Sequence, residues 1–162
     1  MTAGRTTITN TEGSTIAKII AVCISEQKGT RKHQVPQVTM KAEHGIVGDA
    51  HAGPWHRQVS LLGIESVRKL QEKTGFPLRP GDFAENILTE GICLYELPVG
   101  TRLCLGGNVI GEVTQIGKEC HNACAIRETT GDCVMPREGI FLRILRSGTV
   151  RPGDTITVIK PE

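Results

Sequence analysis

Aromatic side chains are scarce in this sequence: they make up 3% of its 162 residues. Proteins that bind single-stranded nucleic acid stack bases on aromatic rings along a positively charged groove. The chain has a net charge of only +2 and no long basic run, so it lacks the second feature as well. The composition therefore argues against a nucleic-acid partner, and it predicts a core built mainly from Ile, Leu, Val and Ala.

Long apolar runs are also missing, since nothing approaches the roughly 18 consecutive apolar residues of a membrane span. The polar N-terminus has no apolar segment typical of a secretory signal. We therefore expect a soluble, cytoplasmic protein with no membrane partner. In that compartment six cysteines favour thiol chemistry or a metal site over disulfides. Cys23, Cys93 and Cys104 stand in apolar stretches, which predicts that they are buried.

The pattern along the chain predicts one domain over residues 15–162 after a flexible tail, 1–14. β-branched or alternating apolar runs predict strands at 16–25, 38–42 and 57–62. Helical spacing ahead of Gly75 predicts a helix over 64–74, and a second, short helix is predicted over 123–130. Pro-Gly turns open the segments 78–87, 97–105 and 150–158. Strands launched from such turns favour a mainly β, barrel-like fold with a few short helices.

The stretch "GKECHNAC", residues 117–124, contains the first candidate for chemistry. Cys120 would lie just ahead of the second predicted helix, where backbone N–H groups and the helix dipole favour a thiolate. Such a thiolate could attack an acceptor or carry sulfur as a persulfide. The alternative is a buried structural cysteine, and these residues alone leave the two interpretations open. A zinc site made by Cys120, Cys124 and Cys133 is a minor alternative, because the spacing departs from the usual paired knuckles.

Other segments offer groups for binding anions. "GDAHAGPWHRQ", residues 48–58, places Asp49, His51 and Arg57 near glycines that allow close backbone approach to a ligand. On its own, this segment is better interpreted as a tight, solvated loop whose histidines satisfy backbone groups. Arg137, in a Pro-Arg-Glu-Gly turn, is a candidate anion ligand or a partner of its neighbour Glu138. The turn that carries Asp82, Glu85 and Asn86 indicates a strand entry and little more, and the basic loop of Lys28, Arg31, Lys32 and His33 is predicted to be solvated, with an anion site as the alternative.

Taken together, these segments resemble a known family. The ordered set begins with an N-terminal strand and a lysine-bearing loop, and continues with "GIVGDAHAG", "RQVSLL", "PGDFAENILTEGI", "LPVGTRLCLG", "VTQIGKEC" and "GTVRPGD". It covers about residues 16–159. Each motif is weak alone, but the set in this order resembles the MOSC domain, named for the C-terminal domain of molybdenum cofactor sulfurases. The segments "GKECH" and "MPREGIF" resemble the small stand-alone members.

The resemblance implies a β-barrel-like fold and one functional cysteine, which corresponds to Cys120 here. It also implies binding of molybdenum cofactor (molybdopterin) or a precursor, with Cys120 as a persulfide donor or a molybdenum ligand. The expected pocket comprises His51, Gly53, Arg57, Gly81, Asn86, Arg137 and Cys120. The chain lacks the pyridoxal-phosphate desulfurase domain of the sulfurases, so a separate cysteine desulfurase is expected to donate sulfur.

Expected partners are therefore proteins of molybdenum cofactor biosynthesis or molybdoenzymes. Either a sulfurtransferase or an oxidoreductase component acting on N-hydroxylated compounds fits the resemblance. A non-catalytic cofactor carrier and a zinc-stabilised module are the alternatives from other functional classes.

Overall fold

The computed structural model describes residues 17–75, 77–117 and 135–159. Within these ranges the chain is mainly β, as the sequence predicts. Its strands are β1 Lys18–Ile24, β2 His33–Val35, β3 Val38–Lys41, β4 Gly45–Ile46, β5 Val59–Gly63, β6 Ile87–Glu90, β7 Arg102–Leu105, β8 Val109–Ile116, β9 Ile140–Arg146, β10 Gly148–Val150 and β11 Ile156–Ile159. The helices are α1 Ile64–Thr74 and α2 Met135–Glu138, and Leu94–Glu96 forms one 3-10 turn.

The strands form an eight-stranded sheet in the order β11-β7-β8-β9-β5-β6-β1-β2 and a three-stranded sheet in the order β10-β3-β4. The eight-stranded sheet is open, so the barrel is incomplete. The chain just before β11 nevertheless contacts β1, the strand next to the other end of the sheet, through a bridge between Lys18 and Thr155 and a backbone hydrogen bond from Ile19 to Asp154, 2.8 Å. Strands β5 and β6 are parallel, which requires a crossover between them. Helix α1 provides that crossover.

Helix α1 has the bounds that its sequence pattern predicts. Val67 and Leu70 are buried, and the charged side chains on the opposite face of the helix are exposed. The helix ends because Gly75 adopts a left-handed conformation, φ 77°, and donates its N–H to the Gln71 carbonyl at 2.8 Å. The strands predicted around β1, β3 and β5 are also confirmed.

Two apolar clusters fill the fold. The larger one lies between the strands of both sheets and includes Met40, Leu61, Leu103 and Ile144. The smaller one lies under α1 and includes Leu62, Leu70, Phe83, Leu88 and Phe141. Aliphatic side chains dominate both, as the scarcity of aromatic residues predicts. The second cluster forms the floor beneath the loops that carry the candidate site.

The cysteine prediction is correct in one case of three. Cys23 is fully buried on β1, whereas Cys93 is exposed and Cys104 is half-buried. Cys104 alternates on β7 with the buried Leu103 and Leu105, so it faces outward. Cys93 follows the end of β6 in a turn. The predicted tail 1–14, the predicted helix 123–130 and Cys120, Cys124 and Cys133 lie outside the described residues.

Candidate functional site

Lys32 is buried, which contradicts the prediction of a fully solvated basic loop. Its ammonium donates to Asp49 Oδ1 at 2.8 Å and to Ser25 Oγ at 3.0 Å, and lies 3.2 Å from His51 Nδ1. The side chains of Lys32 and Asp49 have no exposed surface. A carboxylate so close to the ammonium offsets much of the cost of burying both charges. That local partner is why a lysine from a polar loop turns inward.

The neighbouring elements fix this ion pair in place. Asp49 follows the turn after β4, and its carboxylate also accepts the N–H groups of Ser25, at the end of β1, and His51. The Lys32 backbone donates to the Gly81 carbonyl at 2.9 Å. A Cβ on Gly81 would lie 2.1 Å from the Lys32 carbonyl oxygen, so only glycine permits this approach.

Trp55 organises the other half of the site. Its indole N–H donates to the His51 carbonyl at 2.8 Å. The Arg57 guanidinium lies 4.7 Å from the centre of its ring, and the Lys28 ammonium lies 5.1 Å from it. The Arg57 guanidinium also lies 5.6 Å from the Phe141 ring centre. Cation–π contacts thus gather positive charge around one aromatic residue.

The Arg57 Nε atom is buried and finds no hydrogen-bond partner in the described part of the chain. Leaving such a donor without an acceptor costs about 1–3 kcal/mol. An acceptor brought by an anionic ligand would remove that cost. The residues at this site therefore fit a ligand that carries a phosphate or another oxyanion.

A second buried acid, Glu85, contacts Gly81, the residue that packs on the Lys32 backbone. Glu85 is fully buried and accepts the N–H groups of Gly81 at 2.7 Å and Phe83 at 3.1 Å. Burial raises the pKa of Glu85 to about 7, against the opposing effect of these N–H donors. Burial, together with the nearby Glu85 carboxyl, also raises the pKa of Cys23 to about 12. Cys23 is therefore an inert core thiol.

The predicted site residues separate into three sets. His51, Gly53 and Arg57 lie together around Trp55, and Gly53 donates its N–H to the His44 carbonyl at 2.7 Å. Gly81 and Asn86 lie inside the protein and hold the elements that carry the site. Asn86 Nδ2 donates to the Cys23 carbonyl, 3.0 Å, while its Oδ1 accepts from the Ser60 N–H, 3.0 Å. A direct contact from Gly81 or Asn86 to a ligand stays a prediction.

Arg137 forms the third set. It is exposed on α2, where the adjacent Glu138 accepts from Ser66 and Lys69 of α1. Helix α1 follows the carboxyl end of β5, whereas Arg57 precedes its other end. Its role as a cofactor ligand therefore remains a prediction.

The strand that leads towards Cys120 is tied to this site. His56 Nε2 lies 2.9 Å from Gln115 Oε1 on β8, and the Gln115 amide donates to the Gly117 carbonyl at 2.7 Å. The Gly117 N–H in turn donates to the Gly139 carbonyl at 2.6 Å, so the end of β8 and the start of β9 are joined beside this site. Residue 120 itself lies outside the described residues.

A separate cavity of about 250 Å³ lies beside α1. It is lined by Gly63, Glu65, Ser66, Lys69, Gly91, Ile92, Cys93, Leu94, Tyr95 and Glu138. Of the predicted site residues that the structure describes, none lines it. We therefore place the candidate site at the buried Lys32–Asp49 pair and at the Trp55 cluster, which comprises Trp55 with Lys28, His51, Gly53 and Arg57. Here the charged side chains lie beside the Arg57 Nε donor, which has no acceptor among the described residues. Among the described residues, no group of three His, Cys, Asp or Glu side chains could hold a metal ion.

The comparisons with known proteins address the family. The sequence model of the MOSC domain matches residues 48–157, which include Asp49, His51, Trp55, Arg57 and Gly81. The chain belongs to the MOSC domain family. A search of the curated proteins finds no match.

Solved structures support the same fold for this MOSC domain. The YuaD protein from Bacillus subtilis superposes with a TM-score of 0.75 at 21% identity, covering 91% of this chain and 98% of that one. YiiM from Geobacillus stearothermophilus gives 0.69 at 18% identity, with 89% and 75% covered. YiiM from Escherichia coli gives 0.60 at 16% identity, with 90% and 71% covered. At these identities the likeness shows the fold alone.

Sequence reasoning missed the buried ion pair of the MOSC domain. It named Asp49 within a loop and assigned Lys32 to solvent, but nothing in their spacing predicts a contact across 17 positions. The available signal was weak: Asp49 and Lys32 are an acid and a base that each follow a glycine within three positions. No helix in the described part of the chain is long and apolar enough to cross a membrane.

Proposed function

We propose that this MOSC domain binds molybdenum cofactor or a precursor at the Trp55 cluster and carries sulfur for it as a persulfide on Cys120. The observation that carries the proposal is the pair of cationic side chains, Lys28 and Arg57, gathered around Trp55, which lies within the matched family region. The buried Arg57 Nε, which lacks an acceptor among the described residues, supports an anionic ligand there.

Each described residue has a defined part in this proposal. Arg57 binds the phosphate of the cofactor. The loop around Gly53 holds Trp55 in place, since the Gly53 carbonyl accepts the Trp55 backbone N–H at 2.9 Å. Trp55 fixes the direction of the guanidinium and offers an aromatic face. Lys32 and Asp49 hold the loop rigid from below. The cofactor would supply the metal and the pterin, and the protein supplies their binding and orientation.

The sulfur step is a thiol exchange. The Cys120 thiolate attacks the outer sulfur of a donor persulfide, the S–S bond of the donor breaks, and the donor leaves as a thiolate. Cys120 then carries one additional sulfur atom, with no net change in the number of disulfide-type bonds. A cysteine desulfurase is the donor we propose, because it forms a persulfide from cysteine.

Mass spectrometry of the intact protein tests the sulfur step. After incubation with a cysteine desulfurase and cysteine, we expect a gain of about 32 Da per chain, the mass of one sulfur on a thiol. The Cys120→Ser variant should lose this gain, whereas Cys93→Ser, which removes the exposed thiol, should keep it. An unchanged gain in Cys120→Ser would overturn the assignment. Cofactor binding without any sulfur gain would instead indicate a non-catalytic carrier.

A further inference from the structure

Three oxygen atoms gather on one side of the cavity beside α1. Gly63, the last residue of β5, lines this cavity and has no Cβ. The position that a Cβ would occupy there lies 3.1 Å from Glu65 Oε1, 3.8 Å from Thr89 Oγ1 and 3.9 Å from the Ile92 carbonyl oxygen. Glu65 and Ile92 line the cavity as well. These three oxygens, which we call the oxygen cluster, therefore border the space over the Gly63 α-carbon.

The Thr89 hydroxyl of the oxygen cluster is unsatisfied. Thr89 pairs with Gly63 across β6 and β5 and has no exposed surface. Its Oγ1 finds no hydrogen-bond partner in the described part of the chain. A buried polar group without a partner costs free energy, which a bound ligand can recover. A ligand that lies over the Gly63 α-carbon is in position to be that partner.

The charges around the cavity favour a cationic ligand. Glu65 accepts the Gly91 N–H on Oε2 at 2.8 Å, and no cation among the described residues pairs with its carboxylate. Lys69, which also lines the cavity, instead donates to Glu138 Oε2 at 3.1 Å, and Ser66 donates to the other oxygen of Glu138. Glu65 lies in the first turn of α1, where the helix dipole favours its negative charge. The protein thus already supplies the anion at this end of the helix, and a ligand has to supply the cation.

We propose that this cavity binds a small primary amine in its protonated form, with the ammonium group at the oxygen cluster. An ammonium has three N–H donors and no acceptor, which suits a carboxylate, a hydroxyl and a carbonyl oxygen. Leu94 and Tyr95, which also line the cavity, suit the carbon chain of the amine. The volume of about 250 Å³ lies below the roughly 300–1,000 Å³ of sites for drug-sized ligands, so the amine is small. This second site is separate from the Trp55 cluster and does not rest on the proposed cofactor function.

Titration of the full chain with n-butylammonium chloride tests the amine site. At about pH 7 a primary alkylamine is protonated. The amide NMR signal of Gly91, whose N–H donates to Glu65, reports on the oxygen cluster, and we expect it to shift saturably. Two probes with the same carbon chain should bind at least about tenfold more weakly: 1-butanol, which has no charge, and butyltrimethylammonium, which has no N–H donor. Equal affinity for all three would overturn the ammonium assignment. Potassium chloride that competes as well as n-butylammonium would show a site for inorganic cations and would overturn the amine.

Two variants test the placement of the ammonium. Gly63→Ala puts a methyl group beside the oxygen cluster, and the φ of Gly63, −82°, is one that alanine adopts readily. The atom closest to the new Cβ is the end of the flexible Glu65 side chain, so we expect the fold to persist and the Gly91 shift to be lost. Undiminished affinity in a folded Gly63→Ala would overturn the placement.

Thr89→Val removes the hydroxyl but keeps the shape of the side chain. It should weaken n-butylammonium binding at least about tenfold without lowering the urea midpoint of unfolding, because the hydroxyl loses no partner within the protein. Thr39→Val, at an exposed position on β3, is the control and should leave the affinity unchanged. A clearly lower urea midpoint for Thr89→Val would show that the hydroxyl is already satisfied and would overturn its part in the site. The probe series on the unaltered protein decides the ligand class even where a variant fails to fold.

Discussion

At the scale of single residues, Lys32 decides the character of the site. It joins the interior by pairing with Asp49, and its ammonium also lies 3.2 Å from His51 Nδ1. The energetic consequence is asymmetric. A buried pair of charges contributes little net stability, but removing one partner leaves the other charge buried without compensation.

Lys32→Met should therefore be strongly destabilising. We expect it to lower the free energy of unfolding by about 3–5 kcal/mol, the range for breaking a buried ion pair. Urea denaturation measures the change. Lys28→Met is the matched control, because Lys28 is exposed, and it should cost less than about 0.5 kcal/mol. Equal stability of the two variants would show that the ion pair is solvated in solution.

Gly81 is the second decisive residue, because its missing Cβ lets it pack on the Lys32 backbone. Both Gly81 and Gly29 have positive φ, 89° and 76°, but only at Gly81 would a Cβ meet an atom, at 2.1 Å. Gly29→Ala should cost about 1 kcal/mol from backbone strain alone. Thermal unfolding should show a clearly larger loss for Gly81→Ala. Similar losses would mean that the close approach to Lys32 does not exist.

At the scale of elements, one amide joins three strands of the sheet. Asn86 precedes β6, donates to Cys23 on β1 and accepts from Ser60 on β5. Asn86→Ala would leave both backbone groups buried without their side-chain partner. We expect the free energy of unfolding to fall by about 2–6 kcal/mol, from about 1–3 kcal/mol for each group. Hydrogen exchange in Asn86→Ala should accelerate in β1, β5 and β6 but not at the β7–β8 hairpin. The control is Asn108→Ala, on the exposed turn of that hairpin, which should change neither the free energy of unfolding nor the exchange rates in β1, β5 and β6.

The turn ahead of β6 gives the protein a pH response. The pKa of Glu85 is raised to about 7 in the folded chain, so the folded state holds its proton more tightly than the unfolded state. The free energy of unfolding therefore falls as pH rises from the unfolded pKa to the folded pKa. Relative to Glu85→Gln, we expect a loss of about 2 kcal/mol between about pH 5 and pH 7. Urea denaturation across this range checks it, and parallel curves for the two proteins would refute the shift.

At the scale of the whole molecule, the sequence predicted most of the fold and part of the site. Local signals sufficed for α1, whose spacing and Gly75 stop reproduce its bounds, and for β1, β3 and β5. They could not show whether the sheet closes into a barrel, because closure depends on contacts between distant parts of the sequence. The bridge between Lys18 and Thr155 is such a contact. Cys93 was misassigned for a related reason: an apolar neighbourhood does not reveal that a strand has ended.

The site shows the same division. The glycine loop with His51 and Arg57 was identifiable from residue types, while the Lys32–Asp49 pair depends on a contact that only the folded chain makes. Gly81 and Asn86 were predicted to contact the cofactor, and that contact stays a prediction; the structure shows their hydrogen bonds to Lys32, Cys23 and Ser60. Residues that position a site and residues that touch a ligand leave similar signals in one sequence.

The most direct test of the central claim uses Trp55, the only tryptophan of the chain, as a reporter inside the site. Titrating the purified protein anaerobically with molybdenum cofactor should change Trp55 fluorescence saturably. Arg57→Met should weaken the apparent affinity at least about tenfold, the effect of losing about 1.4 kcal/mol. Arg102→Met, an exposed arginine on β7, should leave it unchanged. A Trp55 signal that does not saturate, or equal affinity in all three proteins, would contradict cofactor binding at this site.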